Sequence, residues 1–234
     1  MTSKLNDRIA LVTGASRGIG AATAEALAAT GVHVILTART AGGLEEVEER
    51  IHSAGGTATI APLDLLEPES IAKLALAVAG RWGRLDILVM NAATLGSLTP
   101  VQDIDGKEFD NVLALNLVAN QRLIASFDRL LRASPHGRVL AVTSSVGANP
   151  RPFWGAYGAS KAGLETLLLC YGEEVKNLGD LRVAIVDPGA TATRMRARAF
   201  PGEDPATLKG PEAVGDAIVR LLEADFETGS RTRV

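Results

Sequence analysis

From Arg8 onward, short apolar runs rich in β-branched residues alternate with longer segments of helical periodicity. The runs Ile9–Thr13, Val32–Thr37, Thr57–Leu63, Leu85–Met90, Arg138–Thr143 and Leu181–Val186 predict strands, with a weaker seventh near 231–234. Spacing of three and four predicts helices near 18–30, 41–54, 68–81, 104–133, 156–178 and 211–224. Repeated βαβ units imply a parallel sheet buried on both faces and joined by right-handed crossovers. Glycine and proline fall at the joints (Gly31, Gly55, Gly56, Pro62, Gly83, Gly179, Pro188 and Gly189) without opening a linker. The pattern therefore predicts one doubly wound α/β domain over residues 1–234 with about seven strands. Its least patterned stretch, 189–210, is placed to cover a substrate.

Composition removes several function classes. The chain has 234 residues, 24 Lys plus Arg against 27 Asp plus Glu, and a net charge of −3, a poor balance for neutralising nucleic-acid phosphates. A single Cys170 with scattered His33, His52 and His136 supplies neither a disulfide nor a clustered metal site. Cys170 reads as a small apolar residue in a helix, and His33 as a structural strand residue. No run approaches the ~18 apolar residues of a membrane span. Met1 to Arg8 is polar and leads straight into a strand, so a cytoplasmic protein is expected.

The segment Thr13-Gly14-Ala15-Ser16-Arg17-Gly18-Ile19-Gly20 joins the first strand to the first helix. Gly14 permits a sharp exit, Gly18 a close approach of backbone to a pyrophosphate, and Gly20 tight packing of helix on strand. The free N–H groups of the helix start then face the anion. After the second strand, where a carboxylate would bond the adenosine ribose, stands Ala38, followed by Arg39. Arg39 and Arg17 offer guanidinium groups to a 2′-phosphate, so NADP(H) is the expected cofactor.

Tyr157 and Lys161 lie four apart at the start of a helix and share a face. An ammonium beside a phenol is expected to lower its pKa and make Tyr157 a general acid/base. Ser144, thirteen residues earlier, ends a strand where ligands of open α/β sheets bind, and Asn116 is a lone amide in an apolar helical stretch. Ser145 is the rival serine, and Asn116 is also readable as a satisfied structural amide.

The glycine spacing and this quartet resemble the short-chain dehydrogenase/reductase family over nearly the whole chain. The resemblance implies a Rossmann fold and a catalytic tetrad of Asn116, Ser144, Tyr157 and Lys161. It also implies cofactor contacts at Gly14, Ser16, Arg17, Gly18, Ile19, Gly20, Arg39, Asp64, Leu65, Asn91, Ala92, Tyr157, Lys161, Pro188, Gly189, Thr191 and Thr193. Met90-Asn91-Ala92-Ala93 departs from the family's usual Asn-Asn-Ala-Gly, and Ala184 stands where Asn is common. The implied reaction is hydride transfer between NADPH and a carbonyl or secondary alcohol. In it Ser144 holds the oxygen, Tyr157 gives the proton, Lys161 bonds the ribose and Asn116 holds a water. The implied assembly is a homodimer or homotetramer paired through the tyrosine-bearing helix. A dinucleotide-binding sensor with little turnover is the competing class, and the complete quartet argues against it.

Substrate choice is less legible. Phe153, Trp154 and Tyr157 cluster beside the chemistry and are candidates for a pocket wall. The segment 189–210 carries Arg194, Arg196 and Arg198; if it is helical, Arg194 and Arg198 share a face and could clamp an acidic substrate, whereas pairing with Glu203 and Asp204 would make it a solvated, partly neutralised loop, the more expected of the two readings.

Overall fold

A computed structural model describes residues 3–234. Seven parallel strands form one sheet in the order β3-β2-β1-β4-β5-β6-β7. They are β1 Ile9–Thr13, β2 His33–Thr37, β3 Thr57–Ile60, β4 Ile87–Met90, β5 Gly137–Val142, β6 Leu181–Asp187 and β7 Ser230–Arg233. The chain winds outward from β1 to β3, then returns to build β4 to β7 on the other side. The order thus reverses between β1 and β4, which opens a crevice at their C-terminal ends. The helices are α1 Gly18–Ala28, α2 Ala41–Ser53, α3 Pro68–Trp82, α4 Gly106–Leu113, α5 Ala119–Ala133, α6 Ser145–Ala148, α7 Gly155–Val175, α8 Arg194–Ala199 and α9 Pro211–Glu223.

Strands that are apolar throughout serve two cores. Ala10 and Val12 of β1 face one cluster with Leu27, Leu44, Val214 and Ile218, the side of α1, α2 and α9. Ile9 and Leu11 face the other with Ile71, Phe127, Leu164 and Leu168, the side of α3, α5 and α7. The period-two alternation is therefore present but hidden, because both faces are buried. Predicted strands 57–63 and 85–90 are shorter than expected. Past Ile60 the backbone continues as a loop still tied to β2, with Ala61 N donating to Leu36 O at 2.8 Å.

The N-terminal ends of the strands are stitched by buried charge. Arg138, 3% exposed, donates to the Asp180 carboxylate (3.1 and 3.2 Å) and to Asp225 (2.9 Å). Burial would raise the Asp180 pKa, but hydrogen bonds from His136 and Arg138 and the fields of Arg138 and Arg182 hold it down at about 2. A carboxyl held below its ordinary 3.8 stabilises the fold above that pH, and the contribution is lost as pH falls toward 2. Asp180→Asn is expected to cost about 1–3 kcal/mol at neutral pH, since Asp225 still faces the buried guanidinium. Urea unfolding should show this gap closing below about pH 3; a gap that is the same at neutral and acid pH would remove the role assigned to Asp180. His33 is a strand residue as expected, its ring nitrogens 3.0 Å from Thr57 and Thr59 Oγ1, and burial lowers its pKa.

Candidate active site

The crevice at the C-terminal ends of the strands is a cleft of about 660 Å³. Its first wall is the loop from β1 to α1. Gly14 has φ +66°, and a Cβ there would lie 2.9 Å from Ala92 Cα. At Gly20 a Cβ would meet the Gly14 carbonyl oxygen at 2.2 Å, so helix and loop touch backbone to backbone. A Cβ on Gly18 would meet only Thr193 Cγ2, at 3.6 Å, which leaves its cleft side open. The first turn of α1 has no side-chain cap and no acidic residue, so its N–H groups remain available to an anion.

Thr13, given no role from the sequence, and Asn91, expected there only as a cofactor contact, hold this loop in place. Thr13 Oγ1 accepts from the backbone N–H of Asn91 (3.0 Å) and Ala92 (3.1 Å), and Asn91 Nδ2 donates to the Thr13 and Gly14 carbonyls (2.9 and 3.3 Å). Asn91 therefore joins β4 to the loop as well as lining the cleft. A hydroxyl ending one central strand opposite an amide ending its neighbour is the sequence signal that could have found the brace. Arg17 and Arg39 are exposed on the cleft, and among the described residues neither forms an ion pair. Ser16, Ile19, Asp64, Leu65, Ala92, Pro188, Gly189, Thr191 and Thr193 complete this half. An open glycine cradle, uncapped N–H groups and two unpaired guanidiniums fit a dinucleotide bearing an extra phosphate.

The second half holds the reactive side chains. Ser144 lies two residues past the end of β5 and caps α6, its Oγ 3.5 Å from Val146 N, and it lines the cleft whereas Ser145 does not. Tyr157 and Lys161 enter from the first two turns of α7, 7% and 2% exposed. Lys161 Nζ donates to the Val142 carbonyl at 2.9 Å and lies 5.6 Å from the Tyr157 ring centroid. Burial pulls the ammonium down to about 8 against the opposing field of Glu165. The expected lowering of the Tyr157 pKa is not found: burial, then the Asp187 carboxylate, push the phenol above its ordinary value. Loss of water outweighs a cation that points at a carbonyl rather than at the hydroxyl.

Asn116, Gly20 and Phe153 do not line the cleft. The predicted helix 104–133 is interrupted by a π-helical turn, Ala114–Val118, which carries Asn116 fully buried at its centre. Its Oδ1 accepts from Thr94 N (2.8 Å), and Nδ2 donates to Thr94 O (2.8 Å) and Ser160 Oγ (3.0 Å). Ser160 Oγ in turn donates to the Tyr157 carbonyl at 2.7 Å. Both N–H groups and the carbonyl oxygen of the amide are thus engaged in tying the loop after β4 to the turn of α7 that bears the tyrosine. Phe153 sits at φ +73°, 54% exposed, and turns to the surface. Trp154 does form the wall, its ring 5.9 Å from Tyr157 and 5.8 Å from Phe200. Leu95, Leu98, Met195 and Ala199, which the sequence did not single out, pack with it around Tyr157. Cys170 lies in α7 but is exposed, contrary to the apolar packing role expected of it.

Segment 189–210 is more ordered than its sequence pattern suggests. Thr193 caps α8 by accepting from Arg196 N at 3.1 Å, and Phe200, preceding Pro201, leaves helical geometry at φ −137° and ends it after six residues. Arg196 pairs with Glu203 at 2.6 Å. No helix among the described residues is long and apolar enough to cross a membrane, and none of their His, Cys, Asp and Glu side chains group as metal ligands.

Comparison with known proteins places this geometry. A family model described as short chain dehydrogenase matches residues 8–204. An oxidoreductase of Escherichia coli K12, YciK, is 39% identical over 94% of this chain and 88% of its own. A short chain dehydrogenase from Shigella flexneri, complexed with NADP, superposes with TM-score 0.94 at 35% identity over 100% of this chain and 99% of that one. NAD⁺-bound xylitol dehydrogenase superposes with TM-score 0.90 at 25% identity, covering 99% of each chain. Both dinucleotides thus occur on this fold.

Proposed function

The chain belongs to the short chain dehydrogenase family and is an oxidoreductase, and from that premise we propose that it reduces a carbonyl compound with NADPH, or oxidises the secondary alcohol in reverse. The observation that carries this reading is the convergence of Ser144, Tyr157 and Lys161 on the cleft that also holds the glycine loop and Arg39. NADPH, when bound, supplies the hydride. Gly14, Ser16, Gly18 and Ile19 would hold its pyrophosphate, Arg39 and Arg17 its 2′-phosphate, and Asp64 and Leu65 its adenine side. Pro188, Gly189, Thr191 and Thr193 would line its nicotinamide end. Ser144 Oγ donates to the substrate oxygen, where negative charge develops, and Tyr157 delivers the proton that the oxygen acquires. Asn116, with Ser160, fixes the helix turn from which Tyr157 projects; in this reading its part is positioning.

Residues 1–234 would act as one domain around this cleft. Pairing into a homodimer or homotetramer is proposed through α7, whose outer side exposes Leu169 and Cys170, and light scattering measures it.

Cofactor choice gives the first test. Calorimetric titration is expected to show NADPH bound about 10- to 100-fold more tightly than NADH, the range of one or two charge-assisted hydrogen bonds. Arg39→Ala should remove most of that difference by weakening NADPH alone. Equal affinities in the native protein would sink the Arg39 assignment while sparing the fold, and no binding of either would sink the oxidoreductase mechanism itself.

A further inference from the structure

The proposed reductase mechanism leaves one feature of the cleft unused, the charge on α8. Met195 and Ala199, four apart, pack on the apolar cluster of Leu95, Val146 and Tyr157. Arg196 is neutralised by Glu203, and its guanidinium lies 3.7 Å over the Phe200 ring. Asp204, the other carboxylate of the segment, caps a 3₁₀ turn by accepting from Ala206 N at 2.9 Å. Arg194 and Arg198 are left over. Both are exposed, both line the cleft, and among the described residues neither has an ion-pair partner.

Two like charges one helical turn apart oppose the short helix that carries them, so their joint presence on a cleft wall fits an anion between them. They sit beside the face of α8 that packs around Tyr157, whereas Arg17 and Arg39 lie after β1 and β2 and answer to the cofactor. Leu95, Trp154, Met195 and Ala199 line the same cleft and give it an apolar wall packed around Tyr157. We propose that Arg194 and Arg198 clamp the terminal anion, a carboxylate or a phosphate, of a carbonyl substrate whose apolar body lies along that wall. The proposal rests on the reductase reading above and adds the substrate class to it. A guanidinium pair suits either anion, because each can present two parallel N–H donors to two oxygens.

The test compares kcat/KM with NADPH for three medium-chain ketones matched in length and ending in a methyl group, a carboxylate or a phosphate monoester. At least one charged member is expected to be favoured over the methyl member by about tenfold or more, mainly through KM, as for one charge-assisted contact. The carboxylate and phosphate arms separate the two anions, and the preference should shrink in high salt. In the double variant R194E/R198E the preference should invert, which loss of a merely structural helix contact would not produce. A thermal unfolding midpoint near the native one verifies that the variant is folded. Turnover of all three ketones with no charge preference, or a preference that survives the reversal, overturns the clamp alone. No NADPH oxidation with any of them, despite NADPH binding, overturns the reductase reading and the clamp with it.

Discussion

Tyr157→Phe is expected to lower the turnover number for NADPH-dependent carbonyl reduction about 100- to 10,000-fold, the usual worth of a positioned general acid, and to leave NADPH affinity nearly unchanged. The ring that packs against Trp154, 5.9 Å away, and against Leu95 and Val146 is retained, so only the hydroxyl is lost. Burial keeps that hydroxyl protonated at neutral pH. Delivering a proton to a carbonyl oxygen needs the neutral phenol, which the same burial preserves. Taking a proton from an alcohol needs the phenolate, which burial opposes. Ser144 and Lys161 remain in the variant, but neither takes over readily: Ser144 Oγ is a hydroxyl held at the α6 cap, and Lys161 Nζ is turned onto the Val142 carbonyl. Stopped-flow or steady-state kinetics beside a calorimetric NADPH titration would decide it. Turnover equal to the native value would show that the proton comes from elsewhere.

The order of strands and helices was legible because the sheet is buried on both sides, which makes each strand a short apolar run against longer helical periods. The glycine loop was legible for a similar reason: backbone contact at Gly14 and Gly20 excludes every side chain, and only one residue type satisfies that. Four other features were not. The π turn at Ala114–Val118 leaves the local helical pattern intact, since it inserts one extra residue into a turn without changing residue type, so 104–133 read as one helix. The fate of Asn116 followed from that turn and from Thr94 and Ser160, both distant in sequence, and no local spacing encodes them. The sign of the Tyr157 shift depended on how far the ring is buried and where Lys161 points, which a spacing of four cannot state. The aromatic trio at 153–157 divided for a backbone reason: at φ +73° Phe153 turns outward while Trp154 faces the cleft.

The glycine loop carries the other large expected effect. In Gly20→Ala the new Cβ would stand 2.2 Å from the Gly14 carbonyl oxygen, 2.5 Å from Asn91 Nδ2 and 2.8 Å from the Gly14 carbonyl carbon. Two of those atoms are backbone, and the third is an amide anchored on the Thr13 and Gly14 carbonyls, so no flexible side chain can yield. Relief requires α1 to move off the loop or the loop to lift from β4, and either motion shifts the N–H groups that would receive the pyrophosphate. Overpacking of this kind costs about 1–3 kcal/mol in stability, and misplaced donors should weaken NADPH by about 10- to 100-fold. Gly42→Ala is the internal contrast. It lies in α2, where a Cβ would meet nothing within 4 Å, so it should gain up to about 1 kcal/mol from helix propensity and leave NADPH binding alone. Urea unfolding and calorimetric titration of the two variants side by side separate the causes. If Gly20→Ala bound NADPH as the native protein does, the backbone contact between α1 and the loop would not be what shapes the anion site, and the uncapped helix start alone would have to account for it.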